Sequence, residues 1–166
     1  MDSDRLNRWL TLGANIGVLF GIILLIVELD QNREAVQAQT RSNLSQGIVD
    51  QMSLVASNAQ LASLRRRIDA GEEATVDERY QYQLFTRALV RYWENVHYQY
   101  RQGLYDEAEF SAHREAIRSY FAYSKAIVDF WCRNKHGMSR EFAEEIDSLL
   151  SSYNCSNIEL QTEQPG

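Results

Sequence analysis

The hydrophobic pattern of the chain has one dominant feature, an apolar run from Leu10 to Leu29 that reads LTLGANIGVLFGIILLIVEL, with no charge before Glu28 and no proline. At about 1.5 Å of rise per residue, its roughly 20 positions reach the about 30 Å of a bilayer core, so the run predicts a single transmembrane helix over 10–29. Gly13, Gly17 and Gly21 recur every four residues. On a helix they fall within a wedge of about 80°, with Leu24 and Glu28 continuing the same face. Such a tandem GxxxG pattern leaves a groove where a second helix backbone can approach closely, and it predicts helix packing through these three glycines. Asn15 falls nearly opposite. Together with Thr11, it needs another subunit, water or a lumen to satisfy it, and Thr11, Asn15 and Glu28 are therefore the candidate pore or interface residues.

After the span the period stays helical. Val36, Leu44, Ile48, Met52, Val55, Ala59 and Ala62 recur mostly at steps of three or four, which predicts that the span continues as a long amphipathic helix with one narrow buried stripe. The Arg65-Arg66-Arg67 triplet before Gly71 marks its end, since cations complement the dipole of a helix C-terminus and glycine supplies the left-handed cap. Thr75 with Glu78 fits a capping box and predicts a new helix from about Val76. Phe85, Leu89, Trp93 or Tyr92, Val96 and Tyr100 form its stripe, which ends at Gly103. Asp106 and Glu109 start the next helix, and Ile117, Tyr120, Phe121, Ile127, Val128 and Trp131 carry the pattern to about Arg133. A break within 118–124 is compatible with this pattern, although no glycine or proline marks it. Gly137 reads as a C-cap and Ser139 as the next N-cap. Phe142, Ile146, Leu149 or Leu150, and Tyr153 make the last stripe.

No useful β-alternation appears. The fold class is therefore all-α: one N-terminal transmembrane helix continuing into a long amphipathic helix, followed by a small helical bundle. The expected organisation is an N-terminal segment over 1–9, the span over 10–29, a helical soluble domain over 30–153 and a loose polar tail over 154–166.

Length and charge narrow the reading. With 166 residues there is room for one ordinary domain beside the span. A net charge of −6 makes the bulk field repulsive to nucleic acid, which is not an expected partner. The expected partners are the lipid bilayer and further copies of the chain. Arg5 and Arg8 precede the apolar run as in a signal peptide, but no small-x-small cleavage site follows, so a retained anchor is expected. Arg5 and Arg8 on one side balance Arg33 and Arg41 on the other, so the positive-inside rule gives no orientation. Cys132 and Cys155 could pair in an oxidising compartment or stay reduced in the cytosol. The expectation is a cytoplasmic domain at a bacterial inner membrane.

Few groupings suggest chemistry. Cys132 and His136, four apart, with Cys155 or His113, could share zinc. Gly137 and the lack of a second clean pair argue against it, and neither a metal nor any other cofactor is expected. The aromatic residues of 92–131 sit at core spacing. Nucleotide-binding glycine loops, Ser-His-Asp spacings and HExxH are absent from the sequence. Arg91 and His97 form R-x5-H, which is similar to the R-x4–6-H pattern of HEPN ribonucleases. That resemblance implies a catalytic alternative in which His97 moves a proton and Arg91 stabilises phosphorane charge. On a straight helix, however, six positions rotate by about 240°, so the two side chains diverge.

Taken together, ANIGVLFGIILLIVELDQNREAV, ALVRYWENVHYQYRQGLYDEAEF and FW with SREFAEEIDSLL resemble small bacterial single-span membrane proteins of unknown function. The resemblance covers most of the chain and implies an anchor with a helical domain. In architecture, size and R-x-H spacing the chain is also similar to the membrane accessory protein of type VI-B CRISPR systems, which is HEPN-like and forms a ring-shaped pore. The function expected on this reading is a homo-oligomeric membrane assembly, pore or channel-like, in bacterial stress or phage defence. A membrane-tethered HEPN-like ribonuclease and a non-catalytic scaffold are the alternatives.

Overall fold

A computed structural model describes residues 3–150 and Cys155, with the side chain of Arg5 excepted. The described residues form helices α1 (Ser3–Ala56), α2 (Ala59–Asp69), α3 (Val76–Arg101), α4 (Glu107–Tyr123), α5 (Lys125–Asn134) and α6 (Arg140–Leu149), with a 3₁₀ turn at Lys135–Gly137. The chain divides into two units, Met1–Gln39 and Thr40–Gly166. In the first, α1 carries the apolar run. The second is a helical bundle to which the last turns of α1 contribute.

The long helix stops earlier than its apolar period suggests, at Ala56. The Ser57 hydroxyl turns back to the Ser53 carbonyl at 2.6 Å. Asn58, in an extended conformation, then accepts from the Leu61 amide at 3.0 Å and caps α2. Local side-chain hydrogen bonding thus overrides an unbroken stripe. The expected end at Arg66, Arg67 and Gly71 belongs to α2, with Gly71 at φ +81° and its amide bonded to the Ile68 carbonyl. Three stripe residues are exposed where burial was expected: Val36 at 42%, Met52 at 58%, and Ala59, whereas Leu44 is buried.

Helix α3 begins at the expected capping box. Thr75 accepts from the Glu78 amide at 3.2 Å, and Glu78 accepts from the Thr75 amide at 2.9 Å. Phe85, Leu89, Trp93 and Val96 are buried along its stripe, and Gly103, at φ +69°, follows its C-terminus. Asp106 caps α4 through the Ala108 amide. The unmarked break falls at Ser124, which ends α4 and caps α5 through the Ile127 amide at 3.3 Å. Ser124 also donates to Asp69 at 2.6 Å, and Tyr82 donates to the same carboxylate oxygen at 2.6 Å. This buried knot ties α2 and α3 to the α4–α5 junction. Burial first, and the Asp69 hydrogen bond second, push the Tyr82 hydroxyl well above its usual pKa.

Gly137 does not supply the expected left-handed cap. It lies inside the 3₁₀ turn, and its carbonyl accepts from Arg91 at 2.8 Å. Ser139 stands at the N-cap of α6 without a side-chain cap bond, and its amide donates to the Glu94 carboxylate at 2.6 Å. The expected place of Tyr153 in the last stripe and, apart from Cys155, the loose tail expected over 154–166 lie outside the described residues.

The main core gathers Leu61, Leu64, Phe85, Leu89, Trp93 and Phe121 with Trp131, Phe142 and Ile146. A smaller cluster of Leu44, Val96 and Phe110 seats α1 on α3 and α4. That seat depends on Gly47. A Cβ there would lie 3.1 Å and 3.3 Å from two carbons of the Tyr92 ring, whose hydroxyl donates to the Leu44 carbonyl at 3.0 Å. Gly47→Leu is expected to cost about 1–3 kcal/mol by overpacking, outweighing the roughly 1 kcal/mol of helix propensity that replacing glycine gains. Denaturant unfolding of the variant checks this, and unchanged stability would refute the close approach.

Candidate functional site

The apolar run of α1 is the described part of the chain most fully offered to other molecules. Within α1, every residue from 10 to 29 is exposed. This is the one helix among the described residues that is long and apolar enough to cross a membrane. A side chain added at Gly13, Gly17 or Gly21 would meet nothing within 4 Å, so the groove along these glycines is open. In a bilayer, apolar side chains gain nothing by leaving lipid, and close backbone packing is what remains to hold helices together.

The polar positions of the span behave differently from one another. Thr11 does not need an outside partner, because its hydroxyl donates to the Asn7 carbonyl one turn back at 2.9 Å, a bond that a helical threonine makes readily. Asn15 is exposed without such a bond among the described residues, and Glu28 is exposed on the glycine face. Asn7, Thr11 and Asn15 sit at successive four-residue steps and form a polar ridge that runs from about 80° to about 160° around the helix from the middle of the glycine seam. Asn7 belongs to this ridge on spacing alone, but it lies outside the uncharged run that drew attention to the span.

The residues of the catalytic alternative are not brought together. Arg91 is exposed and committed to Glu94 and to the Gly137 carbonyl. His97 is 7% exposed, with its ring 5.9 Å from Phe110 and 5.7 Å from Phe142. Burial lowers its pKa, against the opposing field of Glu145. A buried imidazole between phenyl rings reads as packing. The sulfurs of Cys132 and Cys155 form a disulfide, which leaves no thiolate to hold zinc beside His136.

A second histidine matters for stability. His113 packs edge-on to Tyr92 with its Nε2 buried and unpartnered, and burial pushes its pKa from 6.5 down to about 4. Between those values the unfolded chain binds the extra proton. Stability is therefore fully present above about pH 6.5 and falls as the pH drops towards 4, by roughly 2–3 kcal/mol in all. Urea unfolding at pH 7 and pH 4.5 should show this loss, and His113→Phe should remove most of it. A slope unchanged in that variant would assign the pH dependence to other groups.

No protein-family model, curated protein or solved structure matches the chain.

Proposed function

We propose that this protein is a homo-oligomeric, single-span membrane protein whose spans pack through Gly13, Gly17 and Gly21 and enclose a pore. The open glycine groove carries the reading, because nothing among the described residues fills it. The exposed Asn7–Thr11–Asn15 ridge supports a wet face, since an amide facing lipid tails without a partner is costly. With seam and ridge on different faces, each span can contact a neighbour while presenting the amide of Asn15 to a lumen. Glu28 would then stand at the end of that assembly, near the headgroups. The partners are lipid and further copies of the chain, and the resemblance to small bacterial anchored proteins favours a bacterial membrane.

For the helical domain, the Cys132–Cys155 disulfide favours an oxidising compartment over the cytoplasm suggested by the sequence. The same placement disfavours the ribonuclease, whose substrate would lie on the reducing side. Mass measurement of the full chain in lipid nanodiscs or mild detergent tests the assembly, and a monomer at micromolar concentration overturns it. Ion flux through liposomes holding the assembled protein separates a pore from a scaffold, and an assembly that passes no ions is a scaffold.

A further inference from the structure

Of the helices that build the bundle, α1 buries least: Leu44 is its one buried residue among those described, whereas α3 buries eight. Val96 of α3 and Phe110 of α4 complete a small cluster around Leu44, and Ile48 and Val55 reach the main core only half-buried. The polar groups of this seat fit imperfectly as well. On α1 the Gln51 Oε1 is sealed from water without a hydrogen-bond partner, a cost that leaving the bundle relieves. Segments held by few buried contacts open locally, at a lower free energy than the fold as a whole.

His113 of α4 stands against the side chain that makes the seat. The Tyr92 ring lies over Gly47 and its hydroxyl donates to the Leu44 carbonyl at 3.0 Å, and His113 meets the same ring edge-on at 5.9 Å between centroids. The imidazole is half-buried, so protons reach it, but its Nε2 is sealed and unpartnered. We propose that His113 is the proton sensor of this seat, and that its protonation releases the last turns of α1 from α3 and α4 ahead of any unfolding of the main core. The groups around it are Tyr92 of α3, Tyr105 in the turn before α4, Glu109 one turn back on α4, and Arg41 of α1, which pairs with Glu109 at 2.6 Å. Beyond them, Asp50 of α1 is exposed and accepts from Gln46 at 2.7 Å, and Arg114 pairs with Glu145 at 2.6 Å. None of these charges offsets the burial that lowers the His113 pKa. A protonated ring that stays in place therefore keeps a charge sealed without an acceptor. One that turns towards Glu109 leaves Tyr92 and competes for the carboxylate that ties Arg41 to α4. Both responses loosen α1, and an open seat gives the imidazolium to water. The proposal concerns the bundle alone and stands whether or not the spans assemble.

Hydrogen exchange on the full chain in lipid nanodiscs tests it, read as protection factors so that the intrinsic pH dependence of exchange cancels. The amides of 44–55 are expected to exchange through an opening of lower free energy than that of Leu89, Trp93 and Trp131 in the main core. From pH 7 to pH 5 that opening should become about twentyfold more populated, the factor that follows from a pKa of 6.5 in the open seat and about 4 in the closed one. His113→Phe should hold the protection of 44–55 constant over the same range, and a pH dependence that survives the substitution overturns the proposal. Should that variant fail to fold, the wild-type profile decides. Protection of 44–55 unchanged between pH 7 and pH 5 would mean that α1 opens without exposing His113, and protection equal to that of the core would mean that α1 has no opening of its own. Either outcome is fatal to the sensor.

Discussion

Gly17→Leu is expected to dissolve the assembly while leaving each chain folded. In the isolated chain a side chain at Gly17 meets nothing within 4 Å, so the leucine is free of clashes and gains helix propensity. In the assembly the same side chain occupies the groove into which a neighbouring backbone must descend. Packing between membrane helices relies on that approach, so separating the backbones removes the contacts that hold them. A loss of at least tenfold in association, about 1.4 kcal/mol per interface, is expected as a shift to lower mass in nanodiscs or detergent. Ile22→Leu, on the far side of the helix from the seam, is the matched control and should leave the mass unchanged. Asn15→Leu should keep the mass and reduce ion flux, because it dries the proposed lumen without touching the glycines. An unchanged mass for Gly17→Leu would remove the seam from the account, and undiminished flux in Asn15→Leu would remove the polar ridge.

The parts of this fold that could be read from sequence are those fixed within one or two helical turns. Thr75 and Glu78 announce α3 because both capping bonds lie within four residues, and Asp106 does the same for α4. The positions that escaped are set by long-range partners. Ser124 breaks a continuous pattern because Asp69, 55 residues away in sequence, accepts its hydroxyl. Gly137 resembles a cap but serves as a carbonyl for Arg91, whereas Ser139 does stand at the expected N-cap of α6, with the Glu94 carboxylate accepting from its amide. Gly47 looks like one weak point in a long helix until Tyr92 is packed over it. Asn58 was legible in principle, since an asparagine before Ala-Gln-Leu is an N-cap signal, but the apolar period ran through it and hid the stop. The long apolar helix and the spacing of its glycines are legible from sequence, since Gly13, Gly17 and Gly21 need only the geometry of one helix. Their use depends on a second chain, which a single sequence does not contain.

The disulfide leads to the other large effect. Cys132 is fully buried on α5 in the main core, and Cys155 packs against that core 23 positions later. Closing a loop of that length removes conformational freedom from the unfolded chain worth about 3 kcal/mol in the loop-entropy model. Cys155→Ser should therefore lower the melting temperature of the domain by roughly 10 °C. Reduction of the wild-type protein should do the same, with little further loss on adding reductant to the variant. Cys132→Ser should cost at least as much, since it also places a hydroxyl in an apolar site. The proposed sidedness rests on the same bond. In intact cells expressing the full chain, both cysteines should resist a thiol reagent until a reductant is added. A membrane-impermeant reductant followed by a membrane-impermeant maleimide should then label Cys155, which is partly exposed, because an oxidising compartment lies outside the cytoplasmic membrane. Labelling only by a permeant reagent, without prior reduction, would instead place free thiols in the cytosol. That result would return the domain to the reducing side and reopen Arg91 and His97 to substrates found there.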